Sequence, residues 1–131
     1  MKLTEHSKHR IKNSAQLWDV PSEYYQPMYD YLVNGFEPGS FFTALLANNA
    51  LDAIQASHPA NTLVALKTLT GWIRYSFPLK SFGSYEHVKE WLAYSEDTRR
   101  QLLINKDLIY TAEDEVILIL SGTKTTEPVL F

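Results

Sequence analysis

The chain has 131 residues, of which 45% are hydrophobic and 13% aromatic, and its formal net charge at pH 7 is −3. A chain of this length and composition can bury a core as a single domain, which excludes a globally disordered protein. It contains no cysteine, which excludes disulfides, thiolate catalysis and thiolate metal sites.

Two features of the sequence bear on the compartment of the protein. No apolar run approaches the roughly 20 residues that a membrane-spanning helix needs, and the N-terminus lacks the apolar stretch of a signal peptide. We therefore expect a cytoplasmic protein that makes no contact with a membrane.

The charge is distributed unevenly along the chain. Residues 1–12 carry a net charge of +3, residues 13–66 contain no Lys or Arg and carry −5, and residues 67–131 carry −1. A nucleic-acid binder usually has a dominant basic face, so this distribution disfavours nucleic acid as a partner. The sequence leaves two interpretations of residues 1–19 open, a flexible basic arm or a short helix capped by Thr4 and ending near Gln16.

Helical periodicity and capping signals predict a mainly α protein, a compact single-domain bundle of about five helices over residues 1–131. The second predicted helix, residues 21–34, contains Pro27, which should kink that helix or delay its start. Gly35 is expected to end it in a left-handed conformation. The predicted helices cover residues 21–34, 41–57 and 59–77, with further helices beginning at Ser84 and at Ser95.

The segment 41–57 is predicted to be the central helix, on which the other helices pack. Pro38 and Gly39 form a turn before it, and Ser40 is expected to be its N-cap. When the segment is drawn as a helix, its apolar residues fill one wide arc. That arc contains Phe42, Ala44, Leu46, Ala47, Ala50, Leu51, Ala53 and Ile54.

The opposite arc of this helix mixes apolar and amide side chains, which is typical of a contact face with apolar anchors and a polar rim. An alternative is that an asparagine here hydrogen-bonds a neighbouring loop. Catalysis is disfavoured, because asparagine offers no proton transfer near neutral pH. The predicted interaction surface consists of Phe41, Leu45, Asn48, Asn49, Asp52 and Gln55.

The C-terminal segment has two interpretations. Acidic residues after Thr111 favour a helix over 112–121, whereas the aliphatic run 116–120 could instead form a small hairpin with residues 108–110. Residues 123–131 are predicted to be a tail, whose end at 128–131 could dock on an apolar groove.

The sequence contains no glycine-rich phosphate loop, no zinc signature and no nucleophile elbow. His6 and His9 are three residues apart, but no carboxylate or cysteine stands at a matching position. We therefore predict a non-enzymatic protein with no catalytic residues, no cofactor and no metal site.

A set of short motifs resembles a group of small phage and prophage proteins that have no assigned activity. The matching residues are Tyr31–Gly35, Pro38–Phe41, Ala44–Leu46, Asn48, Pro78, Gly83–Ser84, Val88 and Trp91, so that the likeness extends over residues 20–95. In that group an Asp-Leu pair commonly follows the asparagine, whereas Asn49 and Ala50 stand here. The resemblance implies a viral origin and action in a bacterial cytoplasm, and it supplies no catalytic residues.

Three functional hypotheses follow. The first is a phage accessory protein that binds a host or phage protein, with modulation of a host process or defence as its role. The second is a nucleic-acid-associated protein that uses the basic arm with Arg99 and Arg100. The third is a ligand-binding or enzymatic domain with a pocket lined by Trp72, Trp91 and tyrosines, and a homo-oligomer is compatible with all three.

Overall fold

A computed structural model describes residues 1–58, 61–122, 128–129 and 131. The described residues form eight α-helices and no strand, so the mainly α class is confirmed and the expected number of about five helices is wrong. The helices are α1 (Glu5–Leu17), α2 (Tyr25–Tyr29), α3 (Ser40–Leu46), α4 (Ala50–Ala56), α5 (Leu63–Ser76), α6 (Tyr85–Ala93), α7 (Glu96–Asn105) and α8 (Ala112–Leu120).

The basic N-terminal segment is a packed helix and not a flexible arm. The Thr4 side chain accepts a hydrogen bond from the Ser7 N–H at 3.3 Å, which caps α1 as expected. Leu3, Ile11 and Ala15 are buried. Burial of these apolar side chains packs residues 1–19 against the rest of the fold, while no Lys or Arg side chain of this segment is buried.

The centre of the molecule is α2 and the π-helical turn Asp30–Asn34 that continues it. Pro27 lies in the first turn of α2, where its missing N–H costs little. The α-helix begins at Tyr25 and not at residue 21, which is the delayed start expected as one of the two effects of Pro27. Met28, Tyr31, Leu32 and Val33 are all 0% exposed. The turn ends at Gly35, whose φ of 67° confirms the expected left-handed stop.

The predicted central helix 41–57 is wrong in two respects. The structure breaks it after Leu46, because Asn48 has a φ of 61° and reverses the chain before α4 begins. Leu51 and Ile54 are then 79% and 62% exposed, whereas the apolar arc placed both in the core. Because the chain breaks at Asn48, the apolar residues that would share one arc of a continuous helix do not form one buried face.

Helices α5, α6 and α7 supply further large core residues. Trp72 and Trp91 are 1% and 0% exposed, and the Trp91 Nε1–H donates to the Tyr31 carbonyl at 3.1 Å. The hypothesised pocket lined by these tryptophans is therefore core. Arg99 is 5% exposed and donates to the carbonyls of Val33 and Tyr94, so it is not available to nucleic acid.

The ambiguous C-terminal run is helical. Thr111 caps α8 by accepting from the Asp114 N–H at 3.0 Å, so the alternative hairpin is wrong. No residue of α8 is buried, and Val116, Ile117, Ile119 and Leu120 are each more than half exposed. Glu115 holds the helix to the fold by accepting hydrogen bonds from the Thr4 and Ser7 hydroxyls.

Two described residues near the end of the chain, Val129 and Phe131, contact the rest of the fold. The Phe131 ring stacks on Tyr29 with centroids 4.2 Å apart, and the Val129 N–H donates to Glu5 Oε2 at 2.7 Å. That hydrogen bond is the main cause that lowers the pKa of Glu5. The rest of the predicted tail, residues 123–127 and 130, lies outside the described residues.

Within the described part of the chain, none of the helices combines the length and the apolar character required to cross a membrane.

Candidate functional site

A groove with a volume of about 490 Å³ opens where α3, α4 and the first residue of α6 meet. The described residues that line it include no basic side chain. We call it the acidic groove, and it is lined by Glu37, Ser40, Thr43, Ala44, Asp52, Gln55, Ala56 and Tyr85.

The first wall of the groove comes from the Pro38–Gly39 turn. Gly39 has a φ of 89°, a conformation that side chains with a Cβ rarely adopt. The predicted Ser40 N-cap is wrong, because Ser40 is the first residue of α3 and no side chain caps that helix. The turn nevertheless brings Glu37 and Ser40 to the same edge of the groove.

The second wall is α4, which Asn49 caps. The side-chain Oδ1 of Asn49 accepts from the Asp52 N–H at 3.1 Å, and the side-chain Nδ2 of Asn49 donates to Asp52 Oδ2 at 2.8 Å. This contact differs from the alternative left open above, because Asn49 bonds the first turn of its own helix and not a neighbouring loop. The two contacts fix the Asp52 carboxylate at the groove.

Tyr85 joins the third wall to the second. Its hydroxyl donates to Asp52 Oδ2 at 3.0 Å and accepts from the Asn49 amide at 3.3 Å. Burial, followed by the hydrogen bond to Asp52, raises the pKa of the Tyr85 hydroxyl. The hydroxyl therefore keeps its proton and remains a donor to Asp52 at neutral pH. Nearby, the Gly83 N–H donates to the Leu46 carbonyl at 2.7 Å, which ties α3 to the start of α6.

Thr43 contributes a hydroxyl oxygen that is buried and makes no hydrogen bond with any described residue. Buried polar atoms in folded proteins are normally satisfied. Although Thr43 lines the acidic groove, this oxygen is itself inaccessible to solvent, so it is an unsatisfied buried atom and not a contact point for a ligand.

The six residues predicted as one interaction surface are divided among three places. Asp52 and Gln55 line the acidic groove, with Asn49 behind them as the cap of α4. Leu45 and Asn48 line a second depression of about 310 Å³ beside α5. Phe41 is half-buried against Tyr24 and Phe42, with ring centroids at 6.5 and 4.9 Å.

Sequence reasoning missed Glu37, Ser40, Thr43 and Tyr85 as members of this site. The turn at Pro38–Gly39 was a usable signal for the first two. Tyr85 is 33 residues from Asp52 in sequence, and only tertiary packing brings the two side chains together.

His87 forms a local pair with Ser84. Its Nδ1 lies 2.7 Å from Ser84 Oγ, and the same oxygen accepts from the His87 N–H at 3.0 Å. Ser84 therefore caps α6, and the His87 ring contacts the capping hydroxyl and not the Ser84 backbone N–H that a capping box would use.

The described residues contain no group of three His, Asp or Glu side chains that could hold a metal ion. Comparison with protein-family models, with curated proteins and with solved structures finds no match to this chain. The acidic groove is therefore interpreted from its own chemistry.

Proposed function

We propose that this protein is a non-enzymatic phage accessory protein whose acidic groove binds a basic segment of a host or phage protein. The observation that carries the proposal is the lining of the groove, which presents the carboxylates of Glu37 and Asp52 among hydroxyl and amide groups. Carboxylates and hydroxyl oxygens accept hydrogen bonds from ammonium and guanidinium donors.

The charge of the surrounding chain supports a cationic partner. Residues 13–66, which supply every lining residue except Tyr85, contain no Lys or Arg and carry a net charge of −5. A single-sign surface steers an oppositely charged partner toward it and accelerates association at low salt.

Exposed apolar side chains next to the lining residues supply anchors. Phe36, which precedes Glu37, is 60% exposed, and Leu51, which precedes Asp52, is 79% exposed. Protein interfaces combine apolar anchors with a polar rim. The partner segment that fits this surface carries Lys or Arg beside apolar residues.

The phage origin and the site of action rest on the resemblance to phage and prophage proteins. Under it, the protein acts in the cytoplasm of a bacterial host and binds a protein there.

The test is affinity purification of partners from host lysate with three forms of the protein. The groove variant is Glu37→Lys with Gln55→Lys, which reverses the charge without removing the Asp52 contacts. The control is Glu113→Lys, a charge reversal of an exposed residue on α8. We expect the wild type and the control to enrich the same partner, and the groove variant to lose it by at least about tenfold.

Carbodiimide cross-linking then locates the contact, because it joins a carboxylate to a lysine amine without a spacer. A cross-link from Glu37 or Asp52 to a lysine of the enriched protein supports the proposal. Retention of the partner by the groove variant, or the absence of any enriched protein across repeated trials, overturns it.

A further inference from the structure

Trp18 and Tyr75 form a pair of stacked aromatic rings, called here the platform, on the side of the molecule where α1 meets α5. Their ring centroids are 5.3 Å apart and their planes differ by 2°. Tyr75 is 62% exposed, and Trp18 is half-buried at the C-terminus of α1. These rings line a depression of about 390 Å³ together with Lys67, Thr68, Thr70, Gly71 and Arg74.

Gly71 allows the Trp18 ring to pack against α5. A Cβ on this residue would lie 2.7 Å from Cε3 of the Trp18 ring, which is closer than real Cβ contacts. Glycine inside a helix costs about 1 kcal/mol relative to alanine, and here it lets the indole lie directly on the backbone of α5.

The rim of the depression is cationic. Lys67 and Arg74 are seven residues apart, so they lie on one face of α5 about 10 Å apart along its axis. The Arg74 guanidinium carbon is 5.9 Å from the centre of the Tyr75 ring. The described residues that line the depression include no carboxylate; Asp19, which follows Trp18 in the sequence, is the neighbouring acid along the chain.

We propose that single-stranded nucleic acid binds this platform, with bases stacked on the exposed rings and phosphates at Lys67 and Arg74. Stacking rings flanked by cations are the two elements by which proteins hold single strands without reading sequence. A duplex hides its base faces, so it lacks the stacking contribution. The platform shares no residue with the acidic groove, and this inference does not depend on the function proposed for that groove.

Intrinsic fluorescence provides the measurement. Trp72 and Trp91 are 1% and 0% exposed, so among the three tryptophans Trp18 is the one that a bound base can reach. Titration with dT12 and with rU12 at low salt should give saturable quenching. With two phosphates neutralised, the slope of log K against log salt should be about −1.4. Labelled oligonucleotide anisotropy gives a second readout that does not depend on tryptophan.

Four variants assign the contributions of individual residues. Tyr75→Ala should weaken binding by about tenfold through lost stacking. Lys67→Gln and Arg74→Gln should each reduce the magnitude of the salt slope by about 0.7. Lys89→Gln, an exposed cation on α6, is the matched control and should leave both the affinity and the slope unchanged.

Gly71→Ala separates stacking from charge. It displaces the indole and keeps both cations, so quenching should be lost while the salt slope in anisotropy is retained; circular dichroism checks that the variant is folded. Equal affinity for dT12 and rU12, and weaker binding of a duplex of the same length, support the proposal. Absence of binding at low salt, or binding unaffected by Tyr75→Ala and Lys67→Gln, overturns it.

Discussion

At the scale of single residues, two unusual side chains hold the centre of the fold together. The Arg99 Nε–H donates to the Val33 carbonyl at 3.3 Å, and its guanidinium packs on Gly35. A Cβ on Gly35 would lie 2.8 Å from Arg99 Nη1, so this glycine is required by contact as well as by its positive φ. A buried arginine here satisfies backbone carbonyls at the end of the π-helical turn.

Tyr31 is the second such residue, and its burial makes the stability of the fold decrease at alkaline pH. It is 0% exposed and its hydroxyl donates to the Ser81 carbonyl at 2.6 Å. Burial raises the pKa of its hydroxyl above the usual 10.0. The folded protein therefore keeps Tyr31 neutral while the unfolded chain ionises, so the stability conferred by the neutral form is present below pH 10 and is lost as pH rises.

We predict that Tyr31→Phe lowers the free energy of unfolding at pH 7 by about 1–3 kcal/mol, because a buried carbonyl loses its donor. Above pH 10 the stability of the variant should fall less steeply than that of the wild type, by up to about 1.4 kcal/mol per pH unit. Urea denaturation at several pH values measures both. The pKa values of Tyr24, Tyr25 and Tyr29 are also raised by burial, so a residual slope should remain. Parallel pH profiles for the two proteins would contradict the assignment to Tyr31.

At the scale of elements, short helices are joined by residues that tolerate positive φ. Asn48 at 61° separates α3 from α4, and Asp107 at 61° follows α7. Asn and Asp adopt this conformation more readily than other residues with a Cβ. The break at Asn48 divides the predicted central helix into α3 and α4, which both line the acidic groove.

The attachment of α8 to the rest of the fold is also an element-scale feature. Glu115 accepts from the Ser7 hydroxyl at 2.9 Å and from Thr4, while Ser7 accepts from the Tyr110 N–H at 3.1 Å. Since no residue of α8 is buried, these polar contacts replace the apolar packing that normally retains a helix.

We predict that Glu115→Ala loosens α8 locally. Amide hydrogen exchange of residues 112–120 should become about fivefold faster, while the midpoint of urea denaturation changes little. Glu113→Ala removes a carboxylate from the same helix that is exposed and is the matched control. If the two variants exchange at the same rate as the wild type, the Glu115 contacts do not hold the helix.

At the scale of the whole molecule, the core lies around α2 and its π-helical turn and not around the predicted central helix 41–57. Leu32 is 0% exposed and Leu51 is 79% exposed. We predict that Leu32→Ala lowers the free energy of unfolding by about 2–5 kcal/mol through a cavity, whereas Leu51→Ala changes it by less than about 0.5 kcal/mol. Chemical denaturation of the pair measures the difference directly. Equal losses of stability in the two variants would indicate that the predicted central helix 41–57 contributes as much to the core as α2 does.

The sequence alone determined the mainly α class, the helix start at Ser84 and the stop at Gly35, and it offered the helix starts at Thr4 and Thr111 as one of two alternatives each. These features depend on side chains within a few residues of one another, so their signals are local. It also determined the acidic character of residues 13–66, which is a matter of composition.

Tertiary structure decided which apolar arcs are buried and which polar residues meet. The periodicity of 41–57 shows one face, but one positive φ at Asn48 rotates its second half outward and exposes Leu51. The pairing of Asp52 with Tyr85, and the rings of Trp18 and Tyr75 over Gly71, join residues more than 30 positions apart. Such contacts arise from the packing of whole helices, which no local pattern encodes.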